Sequence, residues 1–341
     1  MKTIQYDALR ALVTAIFVAA GVPPDIADVV AQSLADSNLK GVDSHGVLRV
    51  PQYLSQMASG WIQPTARPTV TQATATTAVV DGKQGFGIYS LRYALDLAIE
   101  KANANQLAAV GLVGSTHTGR MGWFAERAAS QGIITIISGG GAHGKAAHMS
   151  VAPHGGAGRA LATNPITLGL PVGDQAPVVV DISTSATAEG KVRFYRDTGQ
   201  ALPPGWILDK AGQPSANAHD FYDGGMILPV AGHKGYGLAV AAEFLTGILL
   251  GEAHELNWLI LALKATAFRS KADFAGQAAT LLHGIKATPP APGFDQVLAP
   301  GEPEAQIAQR RAVEGIPLPA EIWSMLQAIA QQGGVLAQDS I

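Results

Sequence analysis

Between residues 89 and 182 the hydrophobic period of the chain alternates between that of a helix and that of a buried strand, and few architectures accept such a string. Leu91, Ala94, Leu95, Ala98 and Ile99 recur at helical spacing with Arg92, Asp96, Glu100 and Lys101 between them, so 89–103 predicts an amphipathic helix. The unbroken apolar runs 108–113 and 133–138 predict buried strands, with a helix over 123–131 between them, and 178–182 adds another strand. Upstream, the Thr-, Val- and Ala-rich stretch 65–81, edged by Pro64 and Pro68 and closed by Asp81-Gly82, reads as strands. Downstream, helices are expected at 236–250, 304–314 and 319–332, with loops at 203–205 and 288–293. Such alternation predicts an α/β fold of mixed type with a mixed β-sheet. At 341 residues the chain suits two closely packed domains.

The N-terminus tests this picture, because its apolar run resembles the core of a secretory leader. Asp7 and Arg10, however, interrupt the cationic flank a leader needs. Leu9, Leu12, Val13, Ile16 and Phe17 instead follow helical spacing. Pro23-Pro24-Asp25 restarts a second helix with Ile26, Val29, Val30 and Leu34 on one stripe, stopped by Gly41. A helical hairpin, an N-terminal helical segment, is the reading. The apolar run 238–251 is too short to span a membrane and is broken by Glu243, so no membrane association and a cytoplasmic location are expected. With 23 Lys+Arg against 26 Asp+Glu there is no basic field for a nucleic-acid partner. The absence of cysteine removes disulfides, thiolate metal sites and a cysteine nucleophile, and fits a reducing compartment.

Several segments could carry chemistry. Gly139 to Gly144 has the G-x-G-x-x-G form after a strand, but Pro153 and Gly155-Gly156 prevent a helix of normal length, and no acidic residue follows at Rossmann spacing. A flexible glycine loop is the better reading. His143, His148, His154, His219 and His233 lack paired helical spacing and a completing motif, so no metal site is expected. His117, flanked by Gly114 and Gly119 at the end of a strand, stands where α/β folds place ligands. Ser44-His45 with Arg49 forms a second polar group. Arg49 lies about one helical turn beyond His45, and its planar fork matches a carboxylate as well as a surface acid. Asp181-Ile182-Ser183-Thr184-Ser185 closes a strand with four hydrogen-bonding side chains, which also suits an ordinary helix cap. Gly232-His233-Lys234-Gly235 offers a point charge ahead of a helix, and Pro300-Gly301-Glu302-Pro303-Glu304 is a rigid turn before a basic one.

Taken in order, these segments resemble the type-2 malate/L-lactate dehydrogenase family, which includes ureidoglycolate and sulfolactate dehydrogenases, diketogulonate reductase and piperideine-2-carboxylate reductase. The resemblance rests on Asp43-Ser44-His45-Gly46 with Arg49 and Tyr53, Ser115-Thr116-His117 with Gly119, Thr163-Asn164-Pro165, Asp181 to Ser185 with Gly190-Lys191, His233 to Gly237, and Pro300 to Glu302 with Gly315 to Leu318. It spans about residues 5–330. It implies a non-Rossmann nicotinamide-binding fold, NAD or NADP as cofactor, a homodimer, and reversible hydride transfer to a small carboxylate substrate. By resemblance His117, His45 and Ser44 are catalytic, with either histidine as the one that moves the proton. Arg49, Tyr53 and Thr163 are substrate-binding. Thr118, Gly119, Arg120, Met121, Asp181, Ser183, Thr184, Ser185, Lys191, His233, Lys234, Gly301 and Glu302 touch the cofactor.

The implied division is 1–115 for the helical and substrate or dimer region, 116–255 for the cofactor-binding domain and 256–341 for C-terminal helices packing back on the first. Four departures stand out. Thr118 and Arg120 replace more usual aromatic and small residues, Glu189 replaces a frequent arginine, and the stretch 139–149 looks longer than in relatives. Lys191 occupies a position that is aspartate in imine reducers, which favours a 2-oxo/2-hydroxy acid over a cyclic imino acid. The rival readings are cyclic imine reduction, an inactive dinucleotide-binding relative and a histidine-based metal hydrolase. Retention of His117, His45 and Arg49 together argues against an inactive relative.

Overall fold

Why the N-terminal hairpin forms is visible in its burial: Leu9, Leu12, Val13, Ile16 and Phe17 all face inward from α1 (Tyr6–Ala19), which follows a short strand β1 (Lys2–Ile4). Pro24 opens α2 (Pro24–Leu39), where the absent proline N–H costs no helical bond, and Ile26, Val30 and Leu34 complete the packing against α1. Two single 3₁₀ turns then lead into α3 (Val50–Ala58). The computed structural model describes residues 2–141 and 149–335. His143 and His148, and most of the loop at 139–149, lie outside the described residues.

The middle of the chain runs β2 (Thr69–Ala73), β3 (Thr77–Asp81), α4 (Gly87–Asn105), β4 (Leu107–Val113), α5 (Gly122–Ala129), β5 (Ile133–Gly140), β6 (Ile166–Val172) and β7 (Gln175–Ile182). A second, smaller core follows, built on α6 (Glu189–Asp197), β8 (Ile207–Leu208), β9 (Pro214–Ser215), α7 (Ala218–Tyr222), β10 (Met226–Ile227) and α8 (His233–Glu243). The chain then returns as β11 (Asn257–Lys264), α9 (Lys271–Lys286), α10 (Glu302–Glu314), β12 (Ile316–Leu318) and α11 (Ala320–Gln332).

Seven strands form one sheet in the order β2-β3-β4-β11-β5-β6-β7. Only β3 and β4 pair in parallel there; the other neighbours are antiparallel, so the sheet is mixed as expected and unlike a doubly wound one. It takes strands from all three expected segments, β2–β4 from 1–115, β5–β7 from 116–255 and β11 from 256–341. β11 sits at its centre, buried along most of its length. The expected strands and helices through residue 182 all form, but β6, β11 and α9 were not anticipated. The helix expected over 236–250 is α8 followed by a π-helical turn at Phe244–Ile248, where Thr246 Oγ1 donates to Ala242 O at 2.6 Å. The C-terminus closes on the N-terminus, with β12 paired to β1 and α11 packed on α1.

Candidate active site

The end of β4 fixes the site. Gly114 (φ +61°) and Gly119 (φ +73°) turn the chain sharply on either side of His117, in backbone conformations that strain any side-chain-bearing residue. The N-terminus of α4 presses against the same loop. A Cβ on Gly87 would fall 2.0 Å from Thr116 O, so only glycine permits this approach. Thr116 Oγ1 accepts from Gly87 N–H (3.0 Å) and donates to Gly85 O (2.8 Å), pinning the loop from behind.

Opposite lies the Asp43-to-Gly46 knot. Asn38 Nδ2 donates to Asp43 Oδ1 at 2.6 Å and Asn38 Oδ1 accepts from Val47 N–H at 2.8 Å. A Cβ at Gly46 would overlap the Asn38 side chain, which explains why a glycine follows His45. Arg311 on α10 donates to Asn38 O and to Asp43, tying a distant helix to the knot.

These two loops bring the expected histidines together. The His45 and His117 rings stack with centroids 5.9 Å apart and planes 18° from parallel. Ser44 Oγ lies 2.9 Å from His45 Nδ1. Tyr53, fully buried on α3, places its hydroxyl 2.7 Å from His117 Nδ1, which also accepts the Gly119 N–H at 3.3 Å. Because a backbone N–H can only donate, Nδ1 is the accepting nitrogen and the tyrosine hydroxyl donates too. Neutral His117 therefore carries its proton on Nε2. Burial pushes the Tyr53 hydroxyl well above its ordinary range, so it stays protonated and able to donate. Burial, then the charges of Arg49 and Arg120, pull His45 down to about 4. Burial, then Arg49 and His45, pull His117 well below 6.5. Both imidazoles are neutral near pH 7.

A cleft of about 960 Å³ opens over this pair, lined on one side by Ser44, His45 and residues 116–121, and on the other by Thr163, residues 179–183, Lys191 and Gly301. Of the expected cofactor contacts, Thr118, Gly119, Arg120, Met121, Asp181, Ser183, Lys191 and Gly301 line it. Thr184, Ser185, His233, Lys234 and Glu302 do not. The hydroxyls of Thr184 and Ser185 are spent on Thr163 O (3.0 Å) and Thr187 O (2.6 Å). His233 and Lys234 are exposed at the start of α8, and Glu302 accepts from Lys286 (2.5 Å) and Ala299 N–H (2.9 Å) at the head of α10. Asp181 supports the floor, accepting from Gly122 N–H (2.7 Å) and Thr167 (2.9 Å).

Arg49 does not lie one regular helical turn from His45, because extended Gly46 (ψ −154°) separates two 3₁₀ turns. Its Nε donates to Ser44 O and its Nη1 to Gln52, while Nη2 makes no hydrogen bond among the described residues. The Arg120 departure has a structural cause. Its guanidinium is 5% exposed and bridges Asp36 (2.7 Å) and Glu126 (3.0 Å), and Lys40 completes the network on Glu126. Glu189 pairs with Arg193 and Tyr222 on the surface.

One residue of the lining was not anticipated. Glu255, just before β11, lines the cleft with His117, and burial raises its carboxyl above the ordinary range, against the smaller lowering by the Trp61 side chain, Arg49 and the His117 backbone. Its Oε2 has no partner. Among the described residues no cluster of His, Asp and Glu is arranged to hold a metal, and no helix is long and apolar enough to cross a membrane.

The family model described as malate/L-lactate dehydrogenase matches residues 4–327. Malate dehydrogenase of Pyrococcus abyssi is 31% identical over 97% of this chain and 95% of its own length. L-lactate dehydrogenase of Cupriavidus necator is 34% identical over 96% and 97%. A Delta(1)-pyrroline-2-carboxylate/Delta(1)-piperideine-2-carboxylate reductase of Pseudomonas syringae pv. tomato is 35% identical over 75% and 74%. Among solved structures, sulfolactate dehydrogenase from Methanocaldococcus jannaschii superposes with a TM-score of 0.88 at 30% identity, covering 98% of each chain.

Proposed function

The chain belongs to the malate/L-lactate dehydrogenase family and is an oxidoreductase acting on hydroxy acids, and on that premise we propose reversible hydride transfer between NAD or NADP and a small 2-oxo/2-hydroxy acid in the His117 cleft. The observation that carries this reading is the fixed tautomer of His117, whose Nδ1 is held by Tyr53 and Gly119 so that Nε2 alone is left to give or take a proton.

The cleft suits a dinucleotide. Gly301 (φ +87°) packs so closely on Val179 that a Cβ would stand 3.1 Å away, leaving bare backbone along that wall. Residues 118–121, Ser183, Lys191 and Gly301 would hold the cofactor. When bound, nicotinamide supplies or accepts the hydride. His117 supplies the matching proton to the substrate oxygen, so a 2-oxo acid gains one hydride and one proton and becomes the 2-hydroxy acid. Such a general acid step contributes about 10²–10⁴-fold. The free Nη2 edge of Arg49 holds the substrate carboxylate. That negative charge offsets the arginine that depresses both imidazoles, raising His117 toward the range where it exchanges protons readily. His45 stacks on it, and Ser44, in hydrogen-bond contact with His45 Nδ1, completes the relay to solvent.

The similarity to the pyrroline/piperideine-2-carboxylate reductase keeps cyclic imino acids as the second reading. Exposed Phe244 and Ile248 on the π-helical turn, Leu249 just after it and Leu281 on α9 support a homodimer, and a cytoplasmic location completes the proposal. Following NADH and NADPH absorbance against 2-oxo acids and cyclic imines is the test. Turnover of a 2-oxo acid is the expected result, and oxidation of neither cofactor by any of them would overturn the proposal.

A further inference from the structure

We infer that Glu255 is a specificity-determining residue, turning dicarboxylic 2-oxo acids away from the site and favouring monocarboxylic ones. This rests on the dehydrogenase reading above and adds to it a substrate class.

Glu255 lines the same cleft as His117, and the pairing of β11 with β4 sets it alongside the turn that carries His117, so its carboxyl stands on the side of the group that must reach the substrate oxygen. Its neighbours on that wall are Leu256 and Trp258, which bring no charge. Oε2 is left without any partner, although unsatisfied buried acceptors are costly and rare. Such an atom gains from a substrate that offers a hydroxyl or another donor and loses from one that offers a second anion.

The cations tell the same story. Among the described lining residues the cations are Arg120 and Lys191. Arg120 is already held by Asp36 and Glu126. Lys191 is carried by α6, whose Val192 belongs to the smaller core, whereas His117 stands at the end of β4. Arg49, beside His45, answers one carboxylate. In oxaloacetate the second carboxylate is only two bonds from the reacting carbon, so it cannot move far from His117. It must enter a space that already contains the Glu255 carboxyl and, among the described lining residues, no cation carried by the loop of His117 or by β11 except the ion-paired Arg120. Like charges brought together in a partly desolvated pocket disfavour binding strongly.

The experiment compares kcat/KM for pyruvate and oxaloacetate at about pH 8 in the wild type and in Glu255→Gln. The substitution keeps the size of the side chain and one accepting oxygen. The expected wild-type preference for pyruvate is about tenfold or more, and Glu255→Gln should shrink it by about tenfold, chiefly through a lower KM for oxaloacetate. A merely structural role would lower activity on both substrates and leave their ratio unchanged, which would overturn the inference. A wild-type preference for oxaloacetate would do the same, and that ratio is read without any substitution, so a variant that fails to fold cannot shield the idea. Turnover with the wrong ratio refutes only this inference. No turnover of either substrate with NADH or NADPH by folded protein removes the dehydrogenase reading as well.

Discussion

Acidification between pH 8 and pH 5 should unfold this protein partly through one imidazole. His45 falls to about 4 in the folded chain because burial and the charges of Arg49 and Arg120 disfavour its protonation, whereas an unfolded histidine titrates near 6.5. The sign follows from proton counts. Below pH 6.5 the unfolded chain binds a proton at this position that the folded chain refuses, so protons favour unfolding. The stabilising difference is fully present above pH 6.5 and is lost as the pH falls toward 4. Linkage between these two values gives a loss of about 2 kcal/mol by pH 5 and about 3 kcal/mol at the limit. His117, lowered in the same direction, adds to the trend. Buried Asp36 and Asp181, whose carboxyls are raised, oppose it. The informative quantity is therefore the difference between wild type and His45→Asn, not the slope of either alone. Urea unfolding at pH 8, 7, 6 and 5 measures it. The variant should lose about 2 kcal/mol less than wild type over that range, whatever its stability at pH 8. Parallel curves would mean that His45 is protonated in the folded protein and that the neutral pair of histidines is wrong.

Three further outcomes follow from the same geometry. Tyr53→Phe removes the donor on His117 Nδ1; kcat should fall about tenfold, with cofactor affinity measured by fluorescence titration unchanged. His117→Ala should lower kcat by at least about 10²-fold with the cofactor still bound, and loss of the kcat ionisation in this variant rather than in His45→Ala would assign the proton step to it. Arg120→Met strands Asp36 and Glu126 without their cation, and should destabilise the protein by about 3–5 kcal/mol in urea unfolding; Asp36→Asn added to it should recover part of the loss.

How much of the fold could be read from the chain depended on how clearly each segment declared its period. The helix α4 and the strands β4 and β5 did so, since each has one consistent pattern and a clean stop. β6 did not. Gly169 and Pro171 lie within it, signs that usually exclude a strand, yet Gly169 is there because a Cβ would stand 2.6 Å from Ala125 O, and Pro171 lies at the irregularity between Leu170 and Val172. α9 has no buried residue, so it offered no apolar stripe to recognise. β11 follows closely on the helical run through 250, and a short, continuously apolar segment there does not distinguish strand from helix.

Missing β11 also hid part of the site. Ser44, His45 and His117 were legible as polar positions because glycines and a polar knot mark them locally, whereas their meeting, which the structure shows as stacked rings, came only from the resemblance. Glu255 has no such mark: a lone glutamate before an apolar run looks like the solvated end of any strand. Its position is a consequence of register. β11 runs antiparallel to β4 with Trp258 opposite Leu112, so the residues preceding Trp258 run past the end of β4 and alongside the turn that carries His117. Only the pairing of two strands about 150 residues apart puts that carboxyl alongside the loop that carries His117. A site assembled in this way has a local part, set by turns and glycines, and a part set by sheet order. Substrate preference here belongs to the second, because the wall beside His117 is contributed by a strand that the sequence pattern leaves ambiguous.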